Sequence, residues 1–112
     1  MKTKLVNRLT KDGVSYQSLM FMCPGCKVWG ASGLHILPVN VSGSIDRPSW
    51  TWDGNLELPT LSPSILSHYR DGDRCHSFLR NGLFEFLADS THPLAGTTVD
   101  IPDLEEWMTT LD

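Results

Sequence analysis

Arg74-Cys75-His76-Ser77-Phe78-Leu79-Arg80-Asn81-Gly82-Leu83-Phe84-Glu85-Phe86-Leu87 is the stretch whose reading decides the fold. Asn81-Gly82 tolerates φ > 0 at both central positions of a two-residue loop, so the stretch predicts a β-hairpin closed by a type I′ turn. That loop pairs Arg80 with Leu83, Phe78 with Glu85 and His76 with Leu87. On the other face it pairs Leu79 with Phe84, Ser77 with Phe86 and Cys75 with Ala88. The second face is the more apolar, so Cys75 is expected to look inward. In a regular strand His76 then points the other way.

Outward from this hairpin, the next informative stretch is Cys23-Pro24-Gly25-Cys26. Two thiols two residues apart, on a tight turn, form one half of a metal clip. Cys75 with a histidine supplies the other half, giving a Cys₃His shell, a common closed tetrahedral zinc site. The expected ligands are Cys23, Cys26, Cys75 and His76, and the cofactor is Zn²⁺. Cys75 and His76 reach one metal only if the strand starts with a bulge or twist. Otherwise the fourth ligand is His92 or His35. A redox role for Cys-Pro-Gly-Cys would need it to open a helix, which lowers the thiol pKa. The next residues, Lys27-Val28-Trp29-Gly30-Ala31-Ser32-Gly33, have no helical pattern.

Val14–Met22 reads as a strand running into the knuckle, and His35–Val39 as a second, short strand, the outline of a zinc-ribbon-like hairpin. Residues 1–13 are polar, with a turn at 11–13. Residues 39–48 read as a surface loop, and Trp50–Trp52 as a brief strand with both indoles on one face. Pro59 and Pro63 confine residues 58–66 to an extended edge or loop segment, with Thr60, Ser62 and Ser64 facing one way. Thr97–Ile101 is a short extended piece. Asp103 can cap a closing helix whose apolar face is Leu104, Trp107, Met108 and Leu111. The expected fold is therefore α+β but mostly β: a small zinc-stapled antiparallel sheet with a short C-terminal helix. It forms one domain over residues 1–112, with its core at about 14–111.

With 112 residues, 40% of them hydrophobic, the chain can bury a modest core that a metal staple would reinforce. The net charge of −4 argues against a protein that tracks phosphate backbones, so a nucleic-acid-binding zinc ribbon ranks last. No apolar run approaches the roughly 18 residues that span a bilayer, and the N-terminus lacks a signal-peptide stretch. The expected compartment is the cytoplasm, where thiols stay reduced.

Trp50, Trp52, Asn55, Thr60, Ser62 and Ser64 bring indoles, an amide and hydroxyls together, a mixture that lines recognition surfaces or serves as core and turn. An exposed tryptophan patch there would fit a homodimer as well as a protein partner. No Ser/His/Asp order is singled out by the sequence. Three functions compete. A protein-interaction module needs a closed metal shell. A zinc-dependent hydrolase needs three ligands plus water, with His35, His92 or Asp89 as acid or base. The nucleic-acid-binding ribbon is the third. Thiolate-rich shells are more often structural than catalytic, which ranks the interaction module first and leans away from an enzyme.

The motifs Cys-Pro-Gly-Cys, Pro-Thr-Leu-Ser-Pro-Ser, Cys-His-Ser-Phe-Leu-Arg-Asn-Gly and Asp-Ser-Thr-His-Pro-Leu-Ala-Gly-Thr-Thr-Val-Asp-Ile-Pro-Asp occur in this order along the chain. In them the chain resembles the DUF6527-like family of small phage and prophage proteins, from about Val14 to Asp103. Relatives often carry the label "ammonia monooxygenase", which does not suit a chain without a spanning segment. The resemblance implies a Cys/His metal centre on Cys23, Cys26, Cys75 and His76, with His35 and His92 as further motif positions. Relatives tend to place a histidine a few residues after the knuckle, whereas here Val28 to Gly33 intervene before His35. A phage origin implies the host cytoplasm and modulation of a host or phage process. The family also resembles proteins encoded beside bacterial ubiquitin-like conjugation genes, which implies protein partners.

Overall fold

A computed structural model describes residues 1–29, 33–40 and 49–105. Eight strands form one sheet in chain order: β1 (Lys4–Leu9), β2 (Ser15–Met22), β3 (Leu34–Asn40), β4 (Trp50–Trp52), β5 (Leu61–His68), β6 (Arg74–Arg80), β7 (Leu83–Phe86) and β8 (Thr98–Asp100). Every neighbouring pair is antiparallel except β3 and β4, which run parallel. The loop expected over 39–48 falls almost wholly outside the described residues.

The β6–β7 hairpin has the predicted register, with Arg80 opposite Leu83, Phe78 opposite Glu85, Leu79 opposite Phe84 and Ser77 opposite Phe86. Its turn residues adopt φ of 49° at Asn81 and 73° at Gly82, the left-handed pair that a type I′ turn requires. The inward face is buried: Cys75, Ser77 and Leu79 on β6, Phe84 and Phe86 on β7. These side chains join Leu19, Phe21, Val39, Trp52, Leu61, Ile65 and Ile101 in one core that also contains the three cysteines.

Two segments differ from expectation. Residues 4–9 form a strand because Val14 and its neighbours close a turn with Thr10 (Thr10 N–H to Val14 O, 2.9 Å), which folds β1 back on β2. A polar edge strand with one face in water shows little apolar alternation, so composition conceals it. Residues 61–68 form an interior strand between β4 and β6 rather than an edge. The β5–β6 register shifts between Leu61 and Ile65, and Pro63, preceded by a cis peptide, sits inside that shift. A proline at a bulge removes no ladder hydrogen bond, which reconciles it with an interior strand.

Asp103 and Leu104 lie against Met1. Leu104 is fully buried, its N–H donates to Met1 O at 2.7 Å, and the terminal ammonium meets Asp103 at 2.9 Å. The expected C-terminal helix falls, beyond Glu105, outside the described residues. Among the described residues no helix is long and apolar enough to cross a membrane.

Candidate functional site

Strand β6 contributes to a side-chain cluster on each of its two faces. Alternation sends Cys75 into the core and His76 outward.

On the inner face, Cys23 and Cys26 flank the turn that ends β2, and a 3₁₀ turn (Cys26–Trp29) comes next. Cys23 N–H donates to Gly33 O at 2.8 Å, tying the knuckle to the start of β3. The sulfurs of Cys23, Cys26 and Cys75 lie within 4.8 Å of one another, and all three cysteines are buried and free. Cys23 and Cys75 are 3.8 Å apart. That is about the edge, ~3.8 Å, of a tetrahedron with metal–sulfur bonds of ~2.3 Å. Three buried cysteines therefore stand close enough to hold a metal ion.

The electrostatics fit this. Cys26 titrates far below an ordinary thiol because Cys23, then Cys75, then His35 and Tyr69 hydrogen-bond its sulfur. Cys23 is pushed up to about 12, first by its hydrogen bond to Cys26. Cys75 is raised as well, by Cys23 and then by Cys26. Ionisation of one sulfur this close opposes ionisation of the others, and a divalent cation would offset that repulsion.

Two histidines flank the sulfurs. His35 Nε2 lies 3.3 Å from Cys26 Sγ, and its ring stacks on Phe21. His92 Nε2 lies 3.2 Å from Cys75 Sγ, buried with its edge on Phe86. Burial lowers the His92 pKa and keeps the ring neutral. Leu94 N–H donates to His92 Nδ1 at 3.2 Å, so the ring proton belongs on Nε2, facing Cys75.

Gly25 leaves room for that ring. A methyl group there would collide with His92 Nε2 and come to 2.8 Å from Phe86 Cε1. Gly25→Ala should therefore displace His92 and destabilise the fold by about 1–3 kcal/mol, read as a lower urea midpoint with unchanged slope.

His76 is not among the sulfurs. On the outer face its Nε2 lies 3.0 Å from Ser64 Oγ, and its Nδ1 lies 3.0 and 3.2 Å from the two carboxylate oxygens of Asp89. The β5 register shift sets Ser64 diagonal to His76, whose direct opposite is Leu66. Asp89 arrives from the loop after β7, and that loop is clamped to β6. Ser90 Oγ accepts from His76 N–H at 2.9 Å and donates to His76 O at 3.0 Å. Arg74 Nε donates to Asp89 O at 2.8 Å. The hydrogen bond from His76 is the main cause holding the Asp89 carboxyl below its usual range. It stays ionised at neutral pH as the acceptor that fixes the His76 tautomer.

The other sequence-selected residues divide. Trp50 Nε1 donates to Ser64 O at 3.3 Å, beside this constellation. Trp52 is buried and donates to Asn55 O. Asn55 Oδ1 caps the turn at Glu57 and Leu58, and Thr60 Oγ1 accepts from Asn81 N–H. Ser62 is exposed on β5. Ser90 and Tyr69 were not singled out by the sequence. Ser64 is legible in the sequence as one of three like-facing hydroxyls and as part of the tryptophan-rich constellation, but its histidine is unidentifiable until the β5–β6 pairing is known.

Residues 2–87 match a family model described as "Bacterial ubiquitination-like system serine protease (BubE)". The match covers Ser64, His76 and the three cysteines, and Asp89 lies two residues beyond it. No curated protein and no solved structure matches the chain.

Proposed function

The chain belongs to the BubE family, and from that premise we propose that it is a serine peptidase acting in a bacterial ubiquitination-like system. The observation that carries this reading is the Ser64–His76–Asp89 relay, with both hydrogen bonds at 3.0 Å. Asp89 accepts from His76 Nδ1–H and leaves the Nε2 lone pair facing Ser64. His76 takes the Ser64 proton as Oγ bonds to the substrate carbonyl carbon. The same proton then passes to the departing amine as the C–N bond breaks, leaving an ester on Ser64. Water, deprotonated by His76, cleaves that ester and returns the proton to Oγ. The zinc-dependent alternative offered His35, His92 or Asp89 as the acid or base beside a metal. Asp89 keeps a catalytic role here, but on the opposite face of β6 from the sulfurs.

The sulfur cluster takes the structural role. Zinc suits three thiolates and one imidazole in a closed shell. His35 fits the fourth position, since its Nε2 faces the sulfurs. His92 serves as a donor to Cys75, because Leu94 already occupies its Nδ1 lone pair. A structural metal is what the interaction-module reading requires, and it is compatible with a peptidase whose partner is its protein substrate.

A small alkyl fluorophosphonate tests the reading. The expected result is one covalent adduct per chain, mapped to Ser64 by peptide mass spectrometry. A chain that remains unlabelled, or is labelled elsewhere, overturns it.

A further inference from the structure

At the end of the β6–β7 hairpin the ladder opens, and Asp89 enters through the opening. Continued, the hairpin register would set His76 opposite Leu87 and Arg74 opposite Asp89. Leu87 N–H does donate to His76 O, at 2.8 Å. The return bond is relayed through Ser90. His76 N–H donates to Ser90 Oγ at 2.9 Å, and Ser90 N–H donates to Leu87 O at 3.0 Å. Arg74 then exchanges bonds with Thr91: Arg74 N–H to Thr91 Oγ1 and Thr91 N–H to Arg74 O, both at 2.9 Å. The loop thus advances four residues, from Leu87 to Thr91, while β6 advances two, from His76 to Arg74. Asp89 is the middle residue of the longer path.

That excess lets Asp89 reach the imidazole. In register it would lie opposite Arg74, whereas its carboxylate meets His76 Nδ1 at 3.0 Å. Ser90, the next residue, is 7% exposed. Its hydroxyl accepts from His76 N–H and donates to His76 O at 3.0 Å, so it uses both of its hydrogen-bonding capacities on one residue. It ties the main chain of the base to the main chain beside the carboxylate. His92, two residues further on, meets Cys75 Sγ at 3.2 Å and holds the loop from the inner face.

We propose that Ser90 is a positioning residue for the Ser64 reaction, its hydroxyl holding the Asp89 carboxylate in place against the His76 imidazole. The proposal rests on the serine peptidase reading above and deepens it with a residue that touches no reacting atom. Ser90→Ala removes the acceptor of the His76 N–H, while His76 O keeps its bond from Leu87. The loop loses its tie beside Asp89, and a displacement of about 1 Å in a catalytic group can cost about 100-fold.

The test measures labelling of Ser64 by a small alkyl fluorophosphonate on the intact, metal-loaded chain. In that step Ser64 Oγ bonds to phosphorus, fluoride leaves, and His76 takes the proton. Ser90→Ala should slow labelling about 10- to 100-fold with the metal content unchanged. Thr91→Val removes the equivalent hydroxyl clamp at Arg74 and should stay within about threefold of the parent, since it does not touch His76. Placed on Asp89→Asn, Ser90→Ala should slow labelling by less than about threefold more, because residues that act as a unit are not additive. The His76 Nδ1 proton, shifted downfield by Asp89, should move upfield in Ser90→Ala and stay in place in Thr91→Val. If Ser90→Ala fails to fold, Ser90→Cys, of similar shape and a weak acceptor, should slow labelling by about threefold or more. Parent-like labelling in the Ser90 variant, an equal loss in Thr91→Val, a full further loss on Asp89→Asn, or an unmoved Nδ1 proton would each overturn the proposal. A parent chain that does not label at Ser64 would overturn the peptidase reading itself, and this proposal with it.

Discussion

Ser64→Ala should lower turnover of a peptide or ester substrate by about 10⁴-fold or more, because a triad nucleophile has no substitute within reach of its base. The fold should survive. Ser64 is half-buried, and its side chain bonds to His76 at 3.0 Å. Its main-chain bond from the Trp50 indole does not depend on the hydroxyl. The variant's melting temperature should therefore stay close to the parent's, and the metal content should be the same. Asp89→Asn provides the matching result. It preserves shape but offers His76 Nδ1 a hydrogen-bond donor in place of a carboxylate, which favours the wrong tautomer, at a cost of about 10⁴-fold in kcat. Steady-state kinetics on both variants separates this mechanism from metal-activated water. A metal-bound nucleophile at the sulfur cluster would leave Ser64→Ala active, since Ser64 and the cysteines lie on opposite faces of β6 and β5.

The hairpin at 74–87 was legible because Asn81-Gly82 fixes both turn type and register, and register alone decides which face each side chain occupies. The same period-two argument separates Cys75 from His76. The sequence motif Cys-His groups them, and only the pleat shows that they face different side-chain clusters. Ser64 was hidden for the opposite reason. Its neighbour Pro63 argues against an interior strand, and the register shift between Leu61 and Ile65 obeys no sequence period. The hydrogen-bonded constellation joins residues 64, 76 and 89 through one strand pairing and one loop clamp, the Ser90 bridge to both main-chain groups of His76. The knuckle could be read because Cys-x-x-Cys is a local signal. Its flanking histidines could not be ranked, since their roles depend on which ring nitrogen faces a sulfur.

Cys23→Ala should unfold the protein or leave it with a melting temperature lower by tens of degrees, and activity should disappear with the fold. The metal-binding free energy of structural zinc sites in zinc-finger peptides is about 10–16 kcal/mol at neutral pH, comparable to the whole stability of a small domain. In this chain the sulfurs join three places: the end of β2, the 3₁₀ turn after it, and β6. The site therefore ties the first hairpin to the last one through the core. The parent protein should carry one zinc per chain, and His35→Ala should weaken its retention against a chelator more than His92→Ala does. Exchange of zinc for cadmium distinguishes a structural ion from a catalytic one. Cadmium binds three thiolates at least as well but is a different Lewis acid. If the metal only holds β2 against β6, the cadmium protein should hydrolyse substrate at the rate of the zinc protein. A turnover that changes with the metal would place the ion in the chemistry and displace Ser64 from it. The adjacency of Cys75 and His76 makes the structural outcome the expected one. Fixing β6 from its inner face sets the position of the imidazole on its outer face, so the metal can be indispensable to the triad without touching the substrate.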